Sequence, residues 1–289
     1  FYCFILMLFA QCKNDIKTFS IDQTYLNTLE KDRNERDERR VKYLELCGLF
    51  KLDSTETIFG LDENNNASTD SKKITQTIAK LSWNGKGFNI EAFNDIKITD
   101  SSDNEIQKKI LVLNTLGDSE KLFFNDISWR IITRSGGLYL RIWNKNNSAI
   151  DNFKGYENFK ANSDFIFEAD FEHFTNSKSE SVASKLGVND IVKFVGRVHF
   201  KFNGEHYSLD VGENGWIMVG DATSGDTTYG GGRYMYIDLP KTNGKVTLDF
   251  NYLYNPPCHY SEFTTCLFPP RQNILPMAIK AGELLTFKN

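Results

Sequence analysis

From Gly48 onward the chain is built of short runs in which apolar and polar residues alternate, separated by Asn-Gly and Gly-Gly pairs. A period of two marks strands with one buried face, and the paired turn residues mark the connections between them. Almost no helical periodicity appears there, so this part is expected to be all β. Ahead of it, roughly from Tyr25 to Leu46, an apolar stripe of Leu26, Leu29, Val41, Tyr43 and Leu44 predicts one helix, with Gly48 as its stop. Between the ends of that stripe, Glu30 to Lys42 mixes both signs of charge at helical spacing. This run reads as a solvated face laced with its own ion pairs.

The turns fix side-chain registers. Asn203-Gly204 lies between VHFKF and EHYSL, and a two-residue Asn-Gly loop favours a type I′ hairpin. Phe202 then faces Glu205, Lys201 faces His206, Phe200 faces Tyr207, and His199 faces Ser208. Val198, Phe200, Phe202, Tyr207 and Leu209 fall on one apolar face, with His199 and His206 at the surface. Asn84-Gly85, Gly136-Gly137 and Asn243-Gly244 are expected to close further hairpins. In KVTLDFN, alternation sends Val246, Leu248 and Phe250 one way and Thr247, Asp249 and Asn251 the other.

The first ten residues, FYCFILMLFA, are uncharged and almost wholly apolar, and Cys12 follows them. The run is shorter than the ~20 residues a membrane span needs but suits the apolar core of a secretory signal. A cysteine just after it resembles a lipoprotein box, although Gln11 stands where a small residue is usual. The expectation is therefore export, lipidation of Cys12, and a place in the cell envelope facing the periplasm or the surface. Residues 1–12 form the signal, 13–47 a polar tether and the helix, 48–150 a first β domain, and 151–289 a second. The polar, Asn-rich stretch from Asn144 to Asn158 divides the last two.

At 289 residues, 40% hydrophobic and 13% aromatic, the chain can bury a substantial core. Its formal charge of -4, with acids and bases interspersed, provides no basic field for nucleic acid. No dinucleotide fingerprint, nucleophile elbow, Ca²⁺ loop or Cys-x-x-Cys pair is present, so no cofactor is expected.

The candidate chemistry lies between Asp221 and Glu283. Gly230, Gly231 and Gly232 precede Arg233, and consecutive glycines can turn several N–H groups into one anion-binding concavity with the guanidinium at its rim. The other reading is a tight bend where a second backbone passes close. Asp249 and Asn251 either line a pocket or face solvent. Cys258 and Cys266 match no zinc spacing, and in an exported chain a disulfide is the better reading.

The motifs TYGGGRY, DFN, NPPC, LP and AGE together resemble the signature of an uncharacterised prokaryotic family, domain of unknown function family 1684. That resemblance implies no activity. It does imply that Asp221, Arg233, Asp249, Asn251 and Asn255 converge. The stretch CGLFKLDSTETIFGLDENNN, with Phe59-Gly60, is similar to the opening of forkhead-associated domains, which implies a β-sandwich or barrel-like unit. Leu61 stands where phosphopeptide readers carry arginine, so phosphate recognition is not implied. The overall expectation is an N-terminal helix followed by two sandwich or barrel-like units, forming a non-catalytic module that binds a partner or a small polar or anionic ligand. The alternative is a hydrolase-like enzyme with Asp221, Arg233 and Asp249 in a polar pocket.

Overall fold

The computed structural model describes residues 19–53 and 56–288. The expected signal, with Cys12, therefore lies outside the described residues. Helix α1 runs Gln23–Leu44 and is capped by Asp22, whose side chain accepts the Tyr25 N–H at 2.8 Å. No glycine ends it. The chain passes through Glu45 straight into strand β1 (Leu46–Lys51), and Gly48 sits inside that strand at a bulge. Among the described residues no helix is long and apolar enough to cross a membrane.

The next strands are β2 (Glu56–Leu61), β3 (Ala67–Ser68), β4 (Gln76–Trp83), β5 (Phe88–Ala92), β6 (Ile98–Thr99), β7 (Glu105–Ile106), β8 (Lys108–Leu111), β9 (Leu122–Phe124), β10 (Ile127–Arg134) and β11 (Gly137–Asn144). They form two antiparallel sheets, ordered β1-β11-β10-β9-β6-β7 and β3-β2-β4-β5-β8. Both sheets contribute to one core, in which Phe59 meets Trp129 edge to face at 4.9 Å. This is a sandwich without barrel closure. Leu61, at the position of the phosphopeptide-reading arginine, is a core residue.

Helix α2 (Ser148–Asn152) and strand β12 (Tyr156–Asn158) occupy the polar connection. Then follow β13 (Ile166–Ala183), β14 (Asn189–Phe202), β15 (Glu205–Gly212), β16 (Trp216–Val219), β17 (Arg233–Tyr236), β18 (Gly244–Asp249) and β19 (Glu283–Phe287). The long strands pair as β15-β14-β13-β18, and β16-β17 and β12-β19 form two-stranded sheets. A second core gathers Phe171, Val198, Leu209, Leu248, Ile217, Met235 and Ile279 from this region.

The Asn203-Gly204 hairpin has the expected register, with Phe202 opposite Glu205 and His199 opposite Ser208. Both turn residues have positive φ, 50° and 87°, as a type I′ turn requires. Its apolar face packs into the second core as alternation dictates. Asn243-Gly244 closes no hairpin. Gly244 begins β18, which pairs with β13, and the Asn243 side chain accepts the His173 N–H at 2.8 Å. The pair is a strand entry held by a side-chain bond to a neighbouring strand, which local sequence alone does not distinguish from a turn.

The charged run on α1 has the expected surface ion pairs, Lys31 with Glu35 and Arg39 with Glu35, but it also carries the inward face of the helix. Leu26 and Val41 are exposed, whereas Leu29, Arg40 and Leu44 are buried. The inward face passes through Tyr25, Leu29, Arg33, Arg36, Arg40 and Leu44, at the i, i+3, i+4 spacing of a helix stripe. Arginines occupy its middle. An apolar search finds only the ends of such a stripe.

Candidate functional site

Arg40 is 2% exposed, and one nitrogen of its guanidinium, Nη2, donates to both carboxylate oxygens of Glu283 at 2.8 and 2.7 Å. Its Nη1 donates to Asp37. Glu283 is equally buried and also accepts the Asn255 N–H at 2.7 Å. Aromatic rings surround the guanidinium, with the centroids of Tyr156, Tyr260 and Phe153 at 4.7, 5.4 and 5.7 Å. Burial disfavours the cation, but the Glu283 carboxylate outweighs that effect and holds the proton more firmly than in water. Arg36 lies beside this pair, 3.6 Å from Glu283 and 4.5 Å above the Tyr254 ring. Its other contact is Asp32.

Arg233 forms a separate centre that meets the first through the Glu283 backbone. Its Nη2 donates to Asp221 at 2.9 Å and to the Ile279 carbonyl at 3.0 Å, while Nη1 donates to the carbonyls of Ala281 and Glu283. Asp221 also accepts the N–H and hydroxyl of Thr223. Arg233 is fully buried. The glycine turn before it serves close packing rather than forming an open nest. Gly232 has φ +80°, its N–H is taken by the Tyr229 carbonyl at 3.0 Å, and a Cβ would lie 2.3 Å from Pro269 and 2.9 Å from the Val219 carbonyl. Gly230 faces Gly225, and a Cβ on Gly231 would strike the Tyr229 ring.

Asp249 and Asn251 do not join Arg233. Strand β18 ends at Asp249, where a 3₁₀ turn begins, and Asp249 accepts the N–H and side-chain amide of Asn251 at 2.9 Å each. Its other oxygen accepts the Tyr25 hydroxyl of α1 at 2.7 Å. Asn251 exchanges hydrogen bonds with the backbone of Asn162. Burial raises the Asp249 pKa, opposed by the Tyr25 and Asn251 bonds. The single convergent polar centre expected from the signature is therefore three bonded sets: Asp221 with Arg233, Asn255 with Glu283 and Arg40, and Asp249 with Asn251 and Tyr25.

Cys258 and Cys266 are free thiols, so the expected disulfide is absent. Each sulfur instead faces the partner's backbone, and the Cys266 and Cys258 N–H groups donate reciprocally to Sγ at 3.0 and 3.2 Å. These bonds close the loop that the Pro-Pro segments stiffen. A hydrogen bond from the Cys266 thiol, with further donation from Thr264, lowers the Cys258 pKa to about 6, while the same contact and burial push Cys266 upward. Among the described residues no group of three or more His, Cys, Asp or Glu side chains could hold a metal ion.

A cavity of about 450 Å³ opens where α1 crosses the second β region. The helix supplies Arg36, Arg39, Arg40 and Lys42. The facing wall includes Trp216, Tyr234, Tyr236 and Tyr254 from β16, β17 and the segment after β18, with Trp216 and Tyr234 edge to face at 5.0 Å. Asp32 is the carboxylate that lines the cavity, and it is bonded to Arg36. Sequence pattern does not reveal this site, because its cations lie in a run with the composition of a solvated face and its aromatic residues are scattered from Tyr43 to Tyr260.

Replacing Arg233 with methionine leaves Asp221 buried without its counter-charge, and should destabilise the fold by about 3–5 kcal/mol in urea unfolding. A loss below ~1 kcal/mol, the range of exposed pairs, would show that the Asp221 pair does not hold these elements together.

No curated protein matches the chain. An NMR structure of an uncharacterised protein from Haloarcula marismortui aligns with 28% identity and a TM-score of 0.40, over 46% of this chain and 78% of its own. Residues 151–284 match the family model described as protein of unknown function (DUF1684), and that part of the chain is similar to this family.

Proposed function

We propose that the protein is a non-catalytic binding module that takes a small organic anion in the cavity between α1 and the second β region. The observation that carries this reading is the lining. Four cationic side chains line the cavity with one carboxylate, Asp32; Arg36 and Arg40 are paired within the fold, which leaves Arg39 and Lys42 without a close counter-charge among the described residues, and aromatic rings form the facing wall. A pocket of this size with convergent cations and low-dielectric walls favours a compact anion. The acids that hydrolytic chemistry would recruit are engaged within the fold: Asp221 by Arg233, Asp249 by Tyr25, and Glu283 by Arg40. That engagement supports binding over catalysis. The apolar run ahead of Cys12 supports export and a lipid tether that would hold the module at the cell envelope.

Two experiments test these parts separately. A set of small carboxylated and phosphorylated metabolites, followed by calorimetry at low salt, should include at least one that binds. Arg39→Ala/Lys42→Ala should weaken that binding by about tenfold or more with little change in melting temperature, because both side chains are largely exposed. Binding by none of the metabolites, or equal binding by the double variant, contradicts the reading. For the tether, labelled palmitate should enter the unaltered protein in a bacterial host and not Cys12→Ala. Equal labelling, or none in either, removes it.

A further inference from the structure

The aromatic residues of the cavity differ in kind from those of the cores. Among the described residues it is lined by six of the chain's 12 tyrosines and by Trp216, but by none of its 23 phenylalanines. Apolarity alone would favour the commoner phenylalanine, which builds the cores instead, as in the Phe165–Phe202 and Phe167–Phe250 contacts. Pro257 is the only lining residue that is both apolar and non-aromatic. Every ring facing the cavity thus combines a flat π surface with a hydrogen-bonding atom at its edge. Asn255 and Asp32 add amide and carboxylate groups between the rings.

Such a lining matches a ligand that is itself ring-shaped, apolar on its faces and polar around its rim. A pyranose fits this description, because its axial C–H groups rest on aromatic faces while its equatorial hydroxyls meet the polar edges. The Tyr234 hydroxyl is taken by the Leu267 carbonyl at 2.5 Å, but a flat aromatic ligand would use the π faces and leave the remaining polar edges unmatched, which costs affinity. The charge requirement is set by the helix. Arg40 is held by Glu283 and Asp37, and Arg36 by Asp32. Arg39 has only a long contact of 3.7 Å to the exposed Glu35, and Lys42 forms no salt bridge among the described residues. Both line the cavity from the helix, where they can meet an acidic substituent while the ring lies on the aromatic residues of the β wall.

We propose, building on the anion-binding reading above, that the occupant is an acidic sugar: a pyranose carrying a carboxylate or a phosphate. Trp216 and the tyrosines of the wall recognise the ring, and Arg39 and Lys42 recognise the acid.

The test uses the full chain and calorimetry with glucuronate, glucose 6-phosphate, glucose, inorganic phosphate, benzoate and adenosine monophosphate. Trp216 emission, isolated by subtracting the signal of Trp216→Phe, reports occupancy of this cavity. At least one of the two acidic sugars should bind about tenfold or more tightly than glucose, phosphate, benzoate and the nucleotide, and should perturb Trp216. Tyr236→Phe, which keeps the ring of a largely exposed residue and removes its hydroxyl, should weaken the sugar about fivefold and leave phosphate unchanged. If benzoate or the nucleotide binds as tightly as the sugars, the acidic-sugar assignment fails while the anion pocket stands. If neither sugar binds but another anion in the wider metabolite set does, the assignment likewise fails alone. If nothing in either set binds, both readings fall.

Discussion

The ion pair between Arg40 and Glu283 is the constraint on which the arrangement of the second half of the molecule rests. Helix α1 buries few apolar side chains, chiefly Leu29 and Leu44, and the middle of its inward face is arginine. Burying a guanidinium costs several kcal/mol unless a counter-charge and hydrogen bonds meet it. Glu283 supplies the charge, and Tyr156, Tyr260 and Phe153 surround the cation with π faces. Once made, the pair is hard to leave, because separating the partners strands a charge on each side. The helix is held by electrostatics where most helices are held by an apolar stripe, and the cavity exists because the helix is held there.

The same residue joins the neighbouring centres. The Glu283 carboxylate accepts the Asn255 N–H, and its backbone carbonyl accepts from Arg233. The motifs singled out in the sequence have a physical sense in these terms. In AGE, Ala281 offers a carbonyl to Arg233, Gly282 adopts φ +74° where a Cβ would lie 2.5 Å from the Leu253 carbonyl, and the acid meets Arg40. In NPPC, Asn255 ties the loop to that acid and Cys258 closes the turn against Cys266. The motifs are chiefly the parts of a buried polar frame. Arg40 and Asn255 of that frame also line the cavity, and its other lining residues lie beside the frame.

Much of the fold was legible because its cues are local. Asn203-Gly204 sets a register through two positive φ angles, and alternation in VHFKF and EHYSL then sorts their faces. The N-terminal helix, the mainly β body and the sandwich of the first unit follow from the same kind of signal. The site was not legible, for two reasons. Arg33, Arg36 and Arg40 have the spacing of a core stripe but the composition of a surface, and only the distant Glu283 reverses that meaning. Asp221, Arg233 and Asp249 stand out in the sequence, yet their partners, Thr223, the Ile279 carbonyl and Tyr25, include one from α1 that no local pattern connects to them. Asn243-Gly244 failed in a similar way, since its side chain answers a strand far off in sequence.

The most direct test is a double-mutant cycle on Arg40→Met and Glu283→Leu, with stability read from urea unfolding at neutral pH. If the pair anchors the helix, each single replacement leaves a buried charge alone and costs about 3–5 kcal/mol, while the double replacement costs less than the sum by at least ~2 kcal/mol. Single losses that add to within about 0.5 kcal/mol would contradict the account, because independent sites behave that way and a shared buried pair does not.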